Sequence, residues 1–196
     1  MKSFKTQRRE SKIISVAKSR QKYLRFVLEN IHDQHNVSAI FRTCDATGVP
    51  KVSLVYTKEK FPHIERKTSA SAFKWVEKEK FSDIEECYKS LHEQGFLIYA
   101  SSLAENAKNL YEIDFSQKIA VVLGNEHRGV SENAANLADE RFIIPMYGMV
   151  QSLNVSVAAA VIAYEAARQR KLKGMYIDSE YSNSELESII EKWLMK

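Results

Sequence analysis

Two rhythms of apolar and polar positions alternate along this chain. The runs YLRFVLENI (23–31), KVSLVY (51–56), FLIYAS (96–101), KIAVVLG (118–124) and RFII (141–144) are short, apolar and rich in β-branched or aromatic residues, so they read as buried strands, with FKWVE (73–77) as a further one. Helical spacing marks 7–20, 37–47, 82–94, a short stretch after Ser131, a long segment from Ser152, and 184–195. Gly48 and Gly95 stand where two of these helices should stop. Strand and helix therefore alternate, which predicts a mostly parallel sheet covered by helices on both faces. Ligands of such sheets bind beyond the carboxyl ends of the strands. The loops to watch are 32–36, 100–106, 124–129 and 145–154.

There is no internal repeat and no Pro/Gly-rich linker, and YIDSEYSNSE (176–185) is the one polar connector. A single domain over 1–196 is expected, with helical extensions at 1–20 and 176–196. A hydrophobic content of 44% against 28% charged residues supports a globular core and argues against disorder. Cys44 and Cys87 are too few for a disulfide framework or structural zinc, so a reducing, cytoplasmic setting is expected, without metal. No apolar run approaches the roughly 20 residues needed to span a bilayer, and MKSFKTQRRESK lacks the core of a signal peptide.

Charge is distributed unevenly. Residues 1–25 hold nine Lys or Arg against Glu10 alone, a net +8 within a chain of +4, which leaves the rest at −4. Arg8, Arg9, Lys12 and Arg20 belong to this arm, and Arg168, Arg170, Lys171 and Lys173 form a second cluster. Basic clusters flanking an acidic body suit a polyphosphate partner, although solvated helix faces have the same composition.

Three segments carry candidate chemistry. In NVSAIFRTCDATGV (36–49), Asn36 is placed to cap a helix, and Arg42 lies among apolar neighbours where its guanidinium would grip a carboxylate or phosphate. The plainer reading of Arg42 is an intrahelical contact with Asp45. In VVLGNEHRGVSE (121–132), Gly124 and Gly129 let the backbone fold closely, while Glu126 and Arg128 supply opposite charges. It is neither a Walker motif nor a dinucleotide fingerprint. In IIPMYGMVQSLNVSVAAAVIAYEAARQR (143–170) a strand end passes through a polar elbow into an alanine-rich helix, with Ser152 and Asn154 at its start. By itself that pattern fits a buried helix with a serine cap. His32 and His35 have no partners at metal-ligand spacing, and no GxSxG or HExxH motif occurs.

Taken in order, these segments resemble the three motifs of the SPOUT superfamily of RNA methyltransferases, and most closely the TrmH-type tRNA (guanosine-18) 2′-O-methyltransferases. The likeness extends to the basic amino-terminal helix, LENIHDQHN and the closing EKWLMK, so it covers nearly the whole chain. It implies a parallel α/β sheet whose carboxyl-terminal segment is threaded into a trefoil knot, a feature nearly absent from other folds. It further implies a homodimer packed through the alanine-rich helix, and S-adenosylmethionine held by backbone groups around Ala100, Ser101, Leu123, Gly124, Ile144, Met146 and Leu153.

By the same resemblance, Arg42 occupies the position that takes the proton from the ribose 2′-hydroxyl. The assignment is chemically demanding, since free arginine has a pKa of about 12.5 to 13.8. Asn36, Glu126, Ser152 and Asn154 match the other polar positions that hold Arg42, ribose and cofactor in register, with Glu126 the second choice of base. His127 and Arg128 depart from the family loop and bear on RNA selectivity. Arg8, Arg9, Lys12, Arg20, Arg168 and Lys171 are the expected tRNA contacts. The alternatives are methylation of another RNA, ribosomal or at the tRNA wobble position, and a non-catalytic RNA-binding protein that retains the fold.

Overall fold

Parallel pairing organises the chain, and its strands sit where the continuous apolar runs lie. The computed structural model describes residues 6–58, 60–61, 72–104 and 106–196. The elements are α1 (Gln7–Lys18), β1 (Leu24–Glu29), α2 (Gln34–Thr47), β2 (Lys51–Val55), β3 (Glu77–Phe81), α3 (Ile84–Glu93), β4 (Leu97–Ser101), β5 (Lys108–Asn109), β6 (Ile119–Leu123), α4 (Glu132–Leu137), β7 (Glu140–Ile143), α5 (Val155–Leu172) and α6 (Asn183–Leu194). Short 3-10 turns occupy Ala72–Lys74 and Leu110–Glu112. The sheet order is β3-β2-β1-β6-β4-β7-β5, with every pairing parallel.

The central strands β1 and β6 are buried at every position, because helices cover both sheet faces. Their alternate residues sort into two cores. Phe26, Leu28, Val121 and Leu123 pack with α2 and α5, while Val27, Ala120 and Val122 pack with α3 and α4. A third cluster joins the chain ends: Ile13 and Ala17 of α1 meet Leu186 and Trp193 of α6, and Trp193 meets Trp75 edge-on at 5.3 Å.

Three boundaries differ from the sequence expectation. The strand expected at 73–77 lies at Glu77–Phe81 instead, after the 3-10 turn at Ala72–Lys74. Its sequence EKEKF reads as a polar loop, but at a sheet edge those charges are an asset: Lys51 on β2 pairs with Glu79 at 2.9 Å, and unpaired edges are blunted by charge. The alanine-rich helix starts at Val155 with Asn154 as its cap, not at Ser152. Likewise α2 is capped by Asp33, whose carboxylate accepts from the His35 amide at 2.8 Å, so Asn36 lies inside the helix.

Several cations of the two basic clusters are structural. Arg170 is fully buried; it donates to the carbonyl oxygens of Phe115 at 2.8 Å and Gln117 at 2.9 Å and pairs with Glu180 at 2.9 Å. Arg20, expected on the RNA surface, is 1% exposed, pairs with Asp45 and stacks over Trp193 at 5.2 Å. That pairing also corrects the expected Arg42–Asp45 contact, because Asp45 is already engaged. Lys2 and Lys5 lie outside the described residues.

Candidate active site

The loops after β1, β6, β4 and β7 converge at one end of the sheet. Between the last three of these lies a cavity of about 440 Å³, within the usual range for a small-molecule site. Six of the seven expected cofactor positions line it: Ser101, Leu123, Gly124, Ile144, Met146 and Leu153. Ala100 does not; it is fully buried on β4, in the core shared with α3 and α4.

The rim depends on Gly124. A Cβ there would stand 2.1 Å from the Gly129 carbonyl group and the Val130 nitrogen, because the 124–129 loop folds back onto the strand end. Asn125 shapes that return: its Oδ1 accepts from the amides of His127 at 3.0 Å and Arg128 at 3.2 Å, and its Nδ2 donates to the Asn30 carbonyl at 2.8 Å. Gly129 closes the turn at φ +68°, in the left-handed region. Asn30 is itself left-handed at φ 51°, and its Oδ1 accepts from the Thr57 and Lys58 amides. Sequence reasoning missed Asn30 and Asn125 as organisers. Their signal was an asparagine at the end of each of two buried runs, where this residue tolerates turn geometry.

Glu126 ties the three segments together. Its carboxylate accepts from the His32 amide at 2.9 Å, the Asp33 amide at 3.2 Å and Asn36 Nδ2 at 2.9 Å. An anion at the start of α2 is also favoured by the helix dipole. Burial raises the Glu126 pKa, but the hydrogen bonds from Asn36 and the backbone amides outweigh it and hold the group below the ordinary value. Glu126 is thus ionised and satisfied, which suits an anchor better than a base. Asn36 Oδ1 in turn accepts from Asn154 Nδ2 at 3.2 Å, while Asn154 Oδ1 accepts from the Ser156 amide at 2.9 Å. Ser152 is exposed on the cavity lining.

Arg42 stands apart. It is exposed on α2, not partly sunk in apolar surroundings as expected, and it does not line the cavity. The structure therefore joins Asn36, Glu126 and Asn154, places Ser152 on the same cavity lining as Glu126 and Asn154, and leaves Arg42, like Asn36, off that lining. Arg8, Arg9, Lys12 and Lys171 are exposed, and Arg168 holds Glu165 through two bonds of 2.8 Å. Among the described residues no group of three or more His, Cys, Asp or Glu side chains could hold a metal ion, and no helix is long and apolar enough to cross a membrane.

Comparison with known proteins gives a consistent result. The family model described as "SpoU rRNA Methylase family" matches residues 23–164. A tRNA (guanosine(18)-2′-O)-methyltransferase of Thermus thermophilus is 43% identical over 192 residues, spanning 98% of each chain. The enzyme of the same name from Escherichia coli is 42% identical, covering 86% of this chain and 73% of its own. Among solved structures, the A. aeolicus TrmH/SpoU tRNA modifying enzyme superposes with a TM-score of 0.90 at 39% identity, over 96% of both chains.

Proposed function

The chain belongs to the SpoU rRNA methylase family, and on that premise we infer that it is an S-adenosylmethionine-dependent methyltransferase acting on the ribose 2′-hydroxyl of guanosine 18 in the tRNA D-loop. One observation carries this reading beyond likeness of sequence. Glu126 and Asn154, on two segments that line the cavity, are joined beside it through Asn36 of the third, 118 residues from Asn154. The cavity fits the cofactor: it is largely apolar, rimmed by a Gly124 that excludes any Cβ, and lined by residues of the 124–129 and 144–154 loops.

When bound, S-adenosylmethionine supplies a methyl group already activated by its sulfonium, so the protein's task is mainly positioning. Backbone groups around Ser101, Leu123, Ile144, Met146 and Leu153 would hold the adenosine in this cavity. Asn36 and Asn154, locked by Glu126 and the α5 start, would hold the loops around the ribose and cofactor in register. Ser152 sits on the rim where the ribose enters. The 2′-hydroxyl must lose a proton as the new bond forms, and Arg42 is assigned that step with a substrate phosphate orienting it. Since Arg42 projects from α2 outside its own pocket, a second subunit and the RNA complete the site around it.

A homodimer has physical support. Tyr147, Met149 and Val150 on the loop before α5, with Val157 and Tyr164 on the helix, are exposed large apolar side chains that a monomer would leave in water. Ala159, Ala163 and Ala166 of α5 are spent on this chain's own core, so close approach of a partner helix would fall to the half-buried Ala160 and Ala167. In this reading residues 1–196 form one catalytic domain with a trefoil knot, working in the cytoplasm, and the paired helices α1 and α6 extend the RNA surface. Arg8, Arg9, Lys12 and Lys171 contact phosphate, with Arg168 beside them.

The test is transfer of labelled methyl groups from S-adenosylmethionine to unmodified tRNA, followed by mapping of the modified nucleotide. Label at the guanosine 18 ribose is expected. Label on ribosomal RNA or on the wobble nucleotide would overturn the substrate, and tight tRNA binding without any transfer would leave a non-catalytic RNA-binding protein.

A further inference from the structure

A second cavity, of about 490 Å³, opens at the opposite end of the sheet from the cofactor loops. It is formed where β1, β2, β3 and β6 begin, with α6 laid across it. Six basic side chains and two acidic ones line it, Glu77 and Glu185 being the acids. Lys22 pairs with Glu185 at 2.6 Å, and Glu77 is engaged by Lys192. Glu79, beside the cavity, is held by Arg25 at 2.8 Å and Lys51 at 2.9 Å. The carboxylates are therefore used up.

Two positive charges are left over, one because Arg25 and Lys51 share Glu79 and one at Lys118, while Arg20 is matched by Asp45. Lys118 has no carboxylate partner among the described residues; its Nζ lies 4.8 Å from the Tyr23 ring centre and 4.9 Å from that of Phe96. Burial, and then the neighbouring charges of Lys22 and Arg25, lower its pKa, as expected for a cation in a surplus of positive charge. Arg20, in the same wall and 1% exposed, leaves its Nε without an acceptor among the described residues. Planar surface adjoins this charge, since Trp75, Trp193 and Tyr181 also face the cavity. Surplus cations call for an anion, and indole and phenol rings favour a planar group beside it.

We propose that this cavity is a second ligand site that takes a phosphorylated nucleoside, with the phosphate at Lys118 and Lys22 and the base against the half-buried rings of Trp75 and Tyr181. The source is either a nucleotide of the bound RNA or a free mononucleotide. Neither use depends on methyl transfer.

Trp75 and Trp193 are the two tryptophans of the chain, so their fluorescence reports on this cavity directly. Titrating guanosine 5′-monophosphate into the full-length protein should quench it saturably, with S-adenosylmethionine at saturation leaving the curve unchanged. Guanosine without phosphate should bind roughly tenfold more weakly, and so should the nucleotide to Lys118→Ala, while Lys118→Arg restores binding. Lys22→Ala, at a partly exposed position, gives an independent second reading, with thermal unfolding checking that loss of its pair with Glu185 leaves the protein folded. Displacement of the mononucleotide by unmodified tRNA identifies RNA as the source; simultaneous binding of both identifies the free nucleotide. No saturable quenching, or equal affinity in wild type, Lys118→Ala and Lys22→Ala, would overturn the proposal whatever the methylation assay shows.

Discussion

Asn154 donates its side-chain amide to Asn36 at 3.2 Å, joining the start of α5 to the first turn of α2 across 118 residues of sequence. Asn36 passes the link on to Glu126, so one asparagine registers the two helices against the loop that rims the cofactor cavity. Replacing it tests this linkage. Asn36→Ala should cut the turnover of tRNA methylation by roughly 10- to 100-fold and cost about 1–2 kcal/mol of stability, because Glu126 loses a side-chain donor. Single-turnover kinetics and thermal unfolding measure the two effects separately.

Gly124→Ala should be far more damaging than Gly148→Ala. A Cβ at Gly124 meets backbone atoms at 2.1 Å, whereas at Gly148 it meets nothing within 4 Å. The first change forces the loop off the strand end, so S-adenosylmethionine binding by calorimetry should fall by at least about 1–3 kcal/mol. The second should leave affinity within about 0.5 kcal/mol of wild type.

Arg42→Ala should abolish methylation while leaving cofactor affinity nearly unchanged, since Arg42 is exposed and outside the cavity. Calorimetry on the variant decides the matter. A parallel loss of cofactor affinity would make Arg42 a structural support.

Glu126 should impose a pH dependence on stability. Its folded-state pKa is depressed, so its contribution is present above the unfolded value of about 4.3 and is lost as pH falls through the folded one. Melting temperatures of Glu126→Gln and wild type should differ at neutral pH and converge in acid. A difference that grew on acidification would contradict the hydrogen-bonding account.

The tRNA surface is best probed by side-chain substitution. Removing Arg8, Arg9 and Lys12 together should weaken tRNA binding and flatten its dependence on salt, because each lost phosphate contact lowers the slope of log K against log salt by about 0.7 to 0.9. Deleting residues 1–20 would confuse the result. It removes Arg20, which holds Asp45, and Ile13 and Ala17, which pack on α6.

The order of elements, the parallel sheet and the loops of the site were legible in the chain, because buried strands need continuous apolar runs and amphipathic helices need their period. Gly124 announced a close backbone approach, and Glu126 beside it announced polar work at a strand end. Tertiary structure alone decided which charges are free. Arg20 and Arg170 look like any surface cation in a sequence, yet one stacks on Trp193 and the other is sealed among carbonyl oxygens and Glu180, whereas Arg168 finds Glu165 one turn away on its own helix. Likewise EKEKF became a strand only because β2 lay beside it to accept its pairing. Periodicity is a local property that burial imprints on sequence, whereas the partner of a charged side chain lies wherever the fold brings an opposite charge within a few ångströms.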